Sequence, residues 1–305
     1  MMDRPLDLKP LPFTVLLDEG VRLFRRHFRR TYLPVALPMA LGQLIYWILY
    51  AIWMKRMFGL GTAGEVSEPT MWAFLGAGFG VGCVGTVLIL ALHFFSYSAL
   101  GKLAIDAVVT GEPAARTAWR FAFRLPVIGT QLLTWLLVGL SVLACCVGWI
   151  YAVPALSMVL PVMSEERRFG GAALSRSHEL ARYNPERRFF GVPMVRILIL
   201  LVVALVLSWA LTFAFQLPVT IVQQWQLARA AVEGGEEMVM PTVALWLYVP
   251  AGVLGSLAQT AVQLYAFLGV SLLFVDTRKR KEAPDLESAL SALESAMAPD
   301  APEGV

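Results

Sequence analysis

Long apolar blocks separated by short polar segments dominate the hydrophobicity pattern of this chain. Five stretches contain no Asp, Glu, Lys or Arg and reach the ~20 residues that a helix needs to cross a hydrocarbon core of ~30 Å. These stretches cover residues 31–54, 69–101, 125–164, 197–228 and 238–275. The pattern therefore predicts an all-α, polytopic membrane protein.

The block 125–164 is long enough for one overlong helix or for a tight hairpin of two helices. The sequence Cys146-Val147-Gly148-Trp149 offers a turn, and Pro154 and Pro161 follow it. With a hairpin here, the chain is predicted to have six transmembrane helices arranged as three hairpins. The approximate spans are 32–54, 71–100, 126–147, 149–164, 193–217 and 250–275.

The distribution of basic residues supports the hairpin, because cytoplasmic loops of membrane proteins collect Lys and Arg. With six spans and both termini in the cytoplasm, all but three of the 25 Lys and Arg residues lie inside. The exceptions are Lys55, Arg56 and Arg229. Two spans in the block 238–275 would export the run TRKRK that follows it. That block is therefore predicted to be one tilted or broken helix, with Pro250 and Gly252 at the break.

Composition agrees with the hydrophobicity pattern. A chain with 58% hydrophobic and only 15% charged residues lies outside the range of ordinary soluble domains. Residues 1–281 are assigned to the membrane domain, and residues 282–305 to a polar cytoplasmic tail with a short acidic helix. The N-terminal sequence lacks the features of a signal peptide, so the first span is expected to be retained. The excess of Arg over Lys favours a bacterial source and hence the cytoplasmic (inner) membrane.

A basic amphipathic helix is predicted on the cytoplasmic side before each odd-numbered span. In the first one, Leu17, Val21, Phe24 and Phe28 recur at helical spacing while arginines fill the remainder. Such helices are expected in the interface plane, with their guanidinium groups among anionic headgroups. The candidate lipid contacts are Arg25, Arg26, Arg29, Arg30, Arg116, Arg120, Arg124, Arg187 and Arg188.

These three units leave two alternatives open. They are either a threefold structural repeat of amphipathic helix plus hairpin, or the basic loops that any six-span protein has. The basic helices either orient and anchor the protein, or they recognise a specific anionic lipid.

Polar groups are scarce inside the predicted spans, and no carboxylate lies within any of them. This argues against ion-coupled transport, because proton and cation sites in transporters normally need buried acids. Gly78 and Gly82 in the second span have the GxxxG spacing that favours close helix packing. The polar side chains that either bond between helices or line a cavity are His93, Gln131, Gln259 and Gln263.

No motif for catalysis or for metal binding is complete in the sequence. The sequence HELAR at 178–182 has the first half of the H-E-x-x-H zinc motif, but Arg182 occupies the second histidine position. The sequence has no phosphate loop, no nucleophile elbow and no cysteine pair at zinc spacing. Asp106 and Glu112 are more typical of solvated ion pairs than of a catalytic dyad. No enzyme activity, cofactor or metal is therefore predicted, and no nucleic-acid partner.

Three segments carry a further signal: LLDEGVRLFRRHFRRTYLPV, the stretch from VPALSMVLPVMSEERRFGG to YNPERRFFGV, and LLFVDTRKRKEAPDLE. The last combines Asp276, the basic cluster 278–281 and the sequence DLE at 285–287. Together they resemble the membrane-domain family of glycerophosphoryl diester phosphodiesterases, over nearly all of residues 11 to 288. The resemblance implies a six-helix bacterial membrane module that occurs fused to a phosphodiesterase or alone, with no established activity of its own. This chain is expected to be of the solitary kind, so hydrolysis of glycerophosphodiesters is not carried over.

We therefore expect a non-enzymatic inner-membrane scaffold or an accessory subunit of a membrane complex. The expected partners are a bilayer with anionic headgroups and either another membrane protein or a second copy of the chain. The alternatives are a translocator or binder of a lipid or small solute, and a membrane hydrolase in which Asp106, Glu112 and His178 converge. The tail helix, with Leu286 and Leu290 on one side, docks either on a partner or on the protein's own basic helices.

Overall fold

A computed structural model describes residues 12–61, 68–144, 146–184, 189–232 and 245–297 of the chain. Over these residues the protein is helical, with ten α-helices and no strand. The helices are α1 (Phe13–Thr31), α2 (Leu33–Gly61), α3 (Glu68–Val109), α4 (Ala115–Ala122), α5 (Leu125–Ala144), α6 (Cys146–Leu156), α7 (Val159–Glu165), α8 (Gly171–Ala181), α9 (Pro193–Val232) and α10 (Leu245–Met297). A short 3-10 helix, Phe189–Gly191, precedes α9.

Five of these helices, α2, α3, α5, α9 and α10, are long and apolar enough to cross a membrane. The predicted fourth span, 149–164, instead falls on two short helices, α6 and α7. The break at Ser157 and Met158 has a local cause. Pro161 has no N–H to donate to the carbonyl of Ser157, and its ring would clash with that carbonyl in a continuous helix. In α7 the same proline lies in the first turn, where it is tolerated.

Two predicted breaks are wrong. The turn placed at residues 146–149 is helical, because α6 begins at Cys146. Gly148 lies at a helix contact, where a Cβ atom would come within 2.8 Å of the Ser141 carbonyl oxygen of α5. The break placed at Pro250 and Gly252 is absent, since α10 runs unbroken from Leu245 to Met297. Gly252 instead makes room for the Trp47 ring, which a Cβ atom there would overlap.

Exposed apolar side chains concentrate in a region that we call the apolar belt, formed by residues 33–52 of α2, 72–90 of α3, 125–143 of α5 and 202–225 of α9. Phe79, Leu143 and Trp209, for example, are 73–84% exposed. Side chains of this kind belong in contact with lipid, or with another apolar surface, rather than with water.

Beyond the belt, the helices form a compact layer at one end of the bundle. This charged layer comprises α1, residues 91–109 of α3, α4, α7, α8 and residues 260–283 of α10. Its core is apolar and continuous, and its members include Leu16, Leu103, Leu160, Leu180, Leu268 and Phe274, which are at most 3% exposed. The C-terminal half of the predicted last span therefore contacts protein on most sides, and its hydrophobicity reflects this core.

The central element of the fold is α10. In its apolar segment 61% of the residues are buried, against 11–22% in the other four long helices. Close packing with α9 depends on Gly269, because a Cβ atom there would come within 2.5 Å of the fully buried Leu200 side chain. Between lipid-exposed helices such tight contacts supply stability that hydrophobic burial alone does not provide.

The predicted short helices before the first, third and fifth spans are present as α1, α4 and α8. The buried stripe of α1 differs from the predicted one, because Leu16, Gly20, Leu23 and His27 face the bundle while Val21 is 45% exposed. A glycine in this stripe lets α1 approach the Tyr265 ring of α10, to which a Cβ atom at position 20 would be 3.4 Å. The helix thus packs on the bundle through two leucines and the small or polar residues between and after them, and its partly buried aromatic residues lie to one side.

The predicted acidic tail helix is not a separate element. Helix α10 continues through residue 297 without interruption. The remaining residues of the tail, 298–305, and the predicted contacts Arg187 and Arg188 lie outside the described part of the chain.

Candidate functional site at the charged layer

An ion cluster around Lys102 fixes the end of α7 against α3. The Lys102 ammonium group donates hydrogen bonds to Asp106 Oδ1 at 2.6 Å and to Ser164 Oγ at 2.8 Å. Glu165 Oε1 lies 3.9 Å from the same nitrogen. The Lys102 and Asp106 side chains are only 18% and 12% exposed, so removing either one would leave the other charge buried without its main partner, which is costly. Asp106 therefore serves a structural contact here.

A second cluster joins α8 to α10 through Arg176, whose side chain is 10% exposed. Its Nε donates to Glu166 Oε2 at 3.0 Å, and its Nη2 donates to Glu282 Oε1 at 2.7 Å. The Glu166 carboxylate is buried and also lies 3.4 Å from Arg168 Nε. Arg278 closes the cluster, because its Nε donates to Glu282 Oε2 at 3.0 Å. One guanidinium group thus links three segments of the charged layer.

The pKa shifts of Arg176 and Glu179 show that this cluster stabilises the charged form of both side chains. Burial opposes the charged form of Arg176, but the carboxylates of Glu166 and Glu179 outweigh burial, so the pKa of Arg176 is raised. The hydrogen bond from Lys281 lowers the pKa of Glu179, and the Arg176 side chain adds to this effect against some desolvation. Both groups are therefore charged around neutral pH.

The basic run 278–281, which follows the last predicted span, also forms ion pairs and hydrogen bonds with its surroundings. Arg280 Nη2 donates to Asp276 Oδ2 at 2.8 Å, with both side chains below a tenth exposed. Lys281 donates to Glu179, and the Tyr183 hydroxyl donates to the backbone carbonyl of Arg280. The run therefore holds α8 and the segment after it against α10.

A cationic cleft lies between α1 and the turn after α3. We call it the arginine cleft; its volume is about 670 Å³, and its lining residues are Arg25, Arg26, His27, Phe28, Arg29, Arg30, Gly111 and Glu112. Gly111 has φ +71°, a conformation that favours glycine, and the turn it forms places Glu112 at the rim. Four guanidinium groups thus share the cleft with one carboxylate.

His27 forms the buried floor of this cleft, with 7% of its surface exposed. Burial lowers the pKa of His27 below its usual value, and the neighbouring charges of Arg26 and Arg30 lower it further. The imidazole is therefore neutral at pH 7, and the positive charge of the cleft comes from the arginines. The sequence pattern does not indicate His27, because the predicted apolar stripe lies on the adjacent face of α1.

The arginines of α4 have a different setting. Arg116 and Arg120 project from α4, whose Ala118 and Phe121 are buried, and Arg124 follows the helix; all three arginines are exposed. Trp119 Nε1 donates to the Pro34 carbonyl at 3.3 Å, which holds α4 against the start of α2. Arg116 and Arg120 therefore lie on the exposed surface of the same layer, outside the lining of the arginine cleft.

The three candidate catalytic residues do not share a site. Asp106 is paired with Lys102, and Glu112 lines the arginine cleft. His178 Nε2 lies 2.6 Å from the Tyr151 hydroxyl, in an exposed contact between α8 and α6. Within the described residues, no group of three or more His, Cys, Asp and Glu side chains could hold a metal ion.

The candidate packing and cavity residues are dispersed over several helices. A Cβ atom at Gly82 would meet nothing within 4 Å, and the surroundings of Gly78 lie outside the described side chains. His93 Nδ1 lies 2.9 Å from the Ile89 carbonyl, so it donates within its own helix rather than to a neighbour. Gln131 is buried, and its Nε2 has no hydrogen-bond partner among the described residues.

The other two glutamines are on α10, where Gln259 is exposed and Gln263 is half-buried.

Comparison with known proteins identifies no function for this arrangement of residues. No protein-family model matches the chain, and no similar curated protein or solved structure was found. The resemblance to the membrane domains of glycerophosphoryl diester phosphodiesterases stays a prediction.

Proposed function

We propose that the chain is a six-span protein of a bacterial inner membrane, with both termini in the cytoplasm, and that it acts as a non-enzymatic scaffold or accessory subunit. The charged layer carries this proposal. The segments that connect the spans pack around an apolar core, although a connection alone would not require one. They also form two ion clusters, one around Lys102 and one around Arg176. A rigid, ion-paired surface of this kind suits the docking of a partner.

Contacts at both ends of the α5–α7 segment support six spans. At its start, the Gly170 N–H donates to Thr130 Oγ1 at 2.7 Å, next to the charged layer. At its far end, Ser141 and Gly148 meet where α5 gives way to α6. The chain returns to the charged layer at Ser164, which accepts a hydrogen bond from Lys102. Because α6 and α7 together cover residues 146–165, they reach roughly 30 Å at 1.5 Å per residue.

Accessible cysteines test this topology. Single cysteines at Ser175 and Ala228, both exposed, lie at opposite ends of the bundle in the six-span arrangement. In a background without native cysteines, an impermeant maleimide added to intact spheroplasts should label Ala228→Cys and leave Ser175→Cys unlabelled until the membrane is opened. The reverse pattern would overturn this topology, either because the orientation is inverted or because α6 and α7 do not cross, and labelling of both positions would exclude a crossing by α9.

The interior of the bundle supports a scaffold over a translocator. Around α10 the central positions are filled by Leu264, Leu268 and Phe267, and Gly269 brings α9 into direct contact. The exposed Gln259 and the self-bonded His93 do not complete a polar path with Gln131 through this core.

Photo-crosslinking in native membranes tests the scaffold proposal. A photoreactive amino acid at Ser175, exposed on α8, is compared with one at Trp209, which is 73% exposed in the apolar belt. A stoichiometric protein adduct from position 175 is expected. Substrate flux in proteoliposomes containing only this chain, or turnover by the purified chain, would contradict the proposal.

A further inference from the structure

Helix α1 presents three faces with different chemistry. At 100° per residue, Leu16, Gly20, Leu23 and His27 share one face, which is buried against the bundle. Leu17, Phe24 and Phe28 occupy the adjacent face and are half-buried. The arginines fill the remaining arc, and they are all exposed: Arg22, Arg25, Arg26, Arg29 and Arg30. Protein, apolar and cationic faces in this order suit a helix at the boundary between lipid tails and headgroups.

Within the part of the chain that the structure describes, three arginines of the cleft lack the ion pairs that Arg176 and Arg280 have elsewhere in the charged layer. Among the described residues, Arg25, Arg29 and Arg30 form no ion pair, whereas Arg22 lies 2.6 Å from Glu19. Like charges four residues apart, as at positions 25 and 29, repel each other and destabilise a helix. The C-terminal end of α1 offsets part of this cost through its dipole, and a bound anion would offset the rest.

The chemistry of the cleft favours a phosphate group. Guanidinium groups bind phosphate oxygens through paired N–H donors, and several of them around one concave site give a multiply bonded anion. The cleft volume of about 670 Å³ lies within the range of roughly 300–1,000 Å³ typical of sites for small ligands. A whole headgroup therefore fits beside the phosphate.

One wall of the cleft is apolar and leads toward the membrane helices. Phe28 lines the cleft, and its ring packs against Phe24 with centroids 5.2 Å apart. On its other side it stacks on Tyr32 at 4.6 Å, directly before α2. Leu33 and Leu37, the next apolar residues, are exposed in the apolar belt. A free phosphate ion gains nothing from contact with this apolar wall, whereas the acyl chain of a lipid packs against it.

We propose that the arginine cleft binds the phosphate group of an anionic phospholipid headgroup, with Arg25, Arg29 and Arg30 as ligands and Phe28 against the start of the acyl chains. This site rests on the proposed cytoplasmic location of the charged layer. The Glu112 carboxylate at the rim opposes any anion, so it selects for a ligand that also makes the apolar contact.

Lipid binding by the purified full-length chain tests the site. The protein in a neutral detergent is titrated with phosphatidylglycerol, phosphatidylcholine or inorganic phosphate, and binding is followed by native mass spectrometry. The double substitution R25Q/R29Q should weaken phosphatidylglycerol binding about 25-fold, since each basic residue near an anionic lipid contributes about fivefold. The matched control, R116Q/R120Q on the exposed face of α4 and outside the cleft, should weaken it less than about threefold.

The substitution E112Q provides a test that misfolding cannot imitate. Removing the one carboxylate of the cleft should strengthen phosphatidylglycerol binding about fivefold, by the same electrostatic contribution. Equal losses from both arginine pairs, or no gain from E112Q, would overturn the site. Inorganic phosphate that binds with the same dependence on Arg25 and Arg29, while phosphatidylglycerol does not compete, would overturn the lipid assignment. A lack of lipid binding leaves the crosslinking result at position 175 unaffected, so the two proposals fail independently.

Discussion

The substitution Arg176→Met should destabilise the protein strongly, because it removes the centre of the cluster between α8 and α10. Arg176 and Glu166 are 10% and 7% exposed, and removing one partner of a buried ion pair typically costs about 3–5 kcal/mol. Glu166 retains Arg168 at 3.4 Å and Arg278 at 3.9 Å, which reduces the cost. We therefore expect a loss of about 2–4 kcal/mol in the free energy of unfolding.

Two further variants separate the buried charge from other effects of this substitution. Arg168→Met removes a partner of the same carboxylate that is 54% exposed, and it should cost less than about 1 kcal/mol. Adding Glu166→Gln to Arg176→Met should restore at least about 1 kcal/mol, because no buried carboxylate is then left with weakened partners.

Unfolding by SDS in mixed micelles, followed by tryptophan fluorescence, gives these free energies. Equal losses for Arg176→Met and Arg168→Met would refute the argument from burial. Further destabilisation by Glu166→Gln would show that packing, rather than charge, holds α8 on α10.

Three other predictions concern separate contacts of the charged layer. Gly101→Ala should cost about 1–3 kcal/mol, because its Cβ atom would come within 2.6 Å of the buried Leu160 side chain, whereas Gly129→Ala meets nothing within 4 Å and should cost less in the same unfolding assay. The pKa of His27 is lowered in the folded state, so its contribution to stability is present above pH 6.5 and is lost as the pH falls through the folded value. His27→Gln should therefore flatten the stability profile below pH 6.5, and an unchanged profile would contradict this. Trp119→Phe removes the hydrogen bond to the Pro34 carbonyl and should cost about 1 kcal/mol, while Trp135→Phe in the apolar belt, with 54% exposure, should be close to neutral.

Local sequence signals predicted the elements of this fold better than their surroundings. Arginines at spacings of three and four residues indicated α1 and α4, since charge periodicity depends only on neighbouring positions. The bond between Arg176 and Glu282 joins residues 106 positions apart, and nothing local to either residue specifies that distance. The arginine cleft was only partly predictable, because its arginines are contiguous but Glu112 arrives from the turn after α3.

Glycine and hydrophobicity were the misleading signals. The sequence predicts helix breaks at Gly148 and Gly252, yet both lie inside helices where a neighbouring helix approaches. A glycine that permits a turn and one that permits close packing are the same residue in sequence, so only the tertiary contact distinguishes them. In the same way, the apolar residues 264–274 fit either a lipid-facing span or a protein core, and burial assigns them to the core.

Because α10 is unbroken, it connects the helices of the apolar belt with the charged layer as one continuous helix. Its 53 residues extend about 80 Å at 1.5 Å per residue, well beyond a hydrocarbon core of ~30 Å. Gly252 lies close to Trp47 of α2 and Gly269 lies close to Leu200 of α9, so α10 makes tight helix contacts at two levels about 25 Å apart. A tilt of about 10° at Gly252 would move residue 282 by roughly 8 Å and would break its ion pair with Arg176, so the charged layer resists this motion. A displacement of α10 among the apolar helices is therefore coupled to the ion pairs at the other end of the molecule.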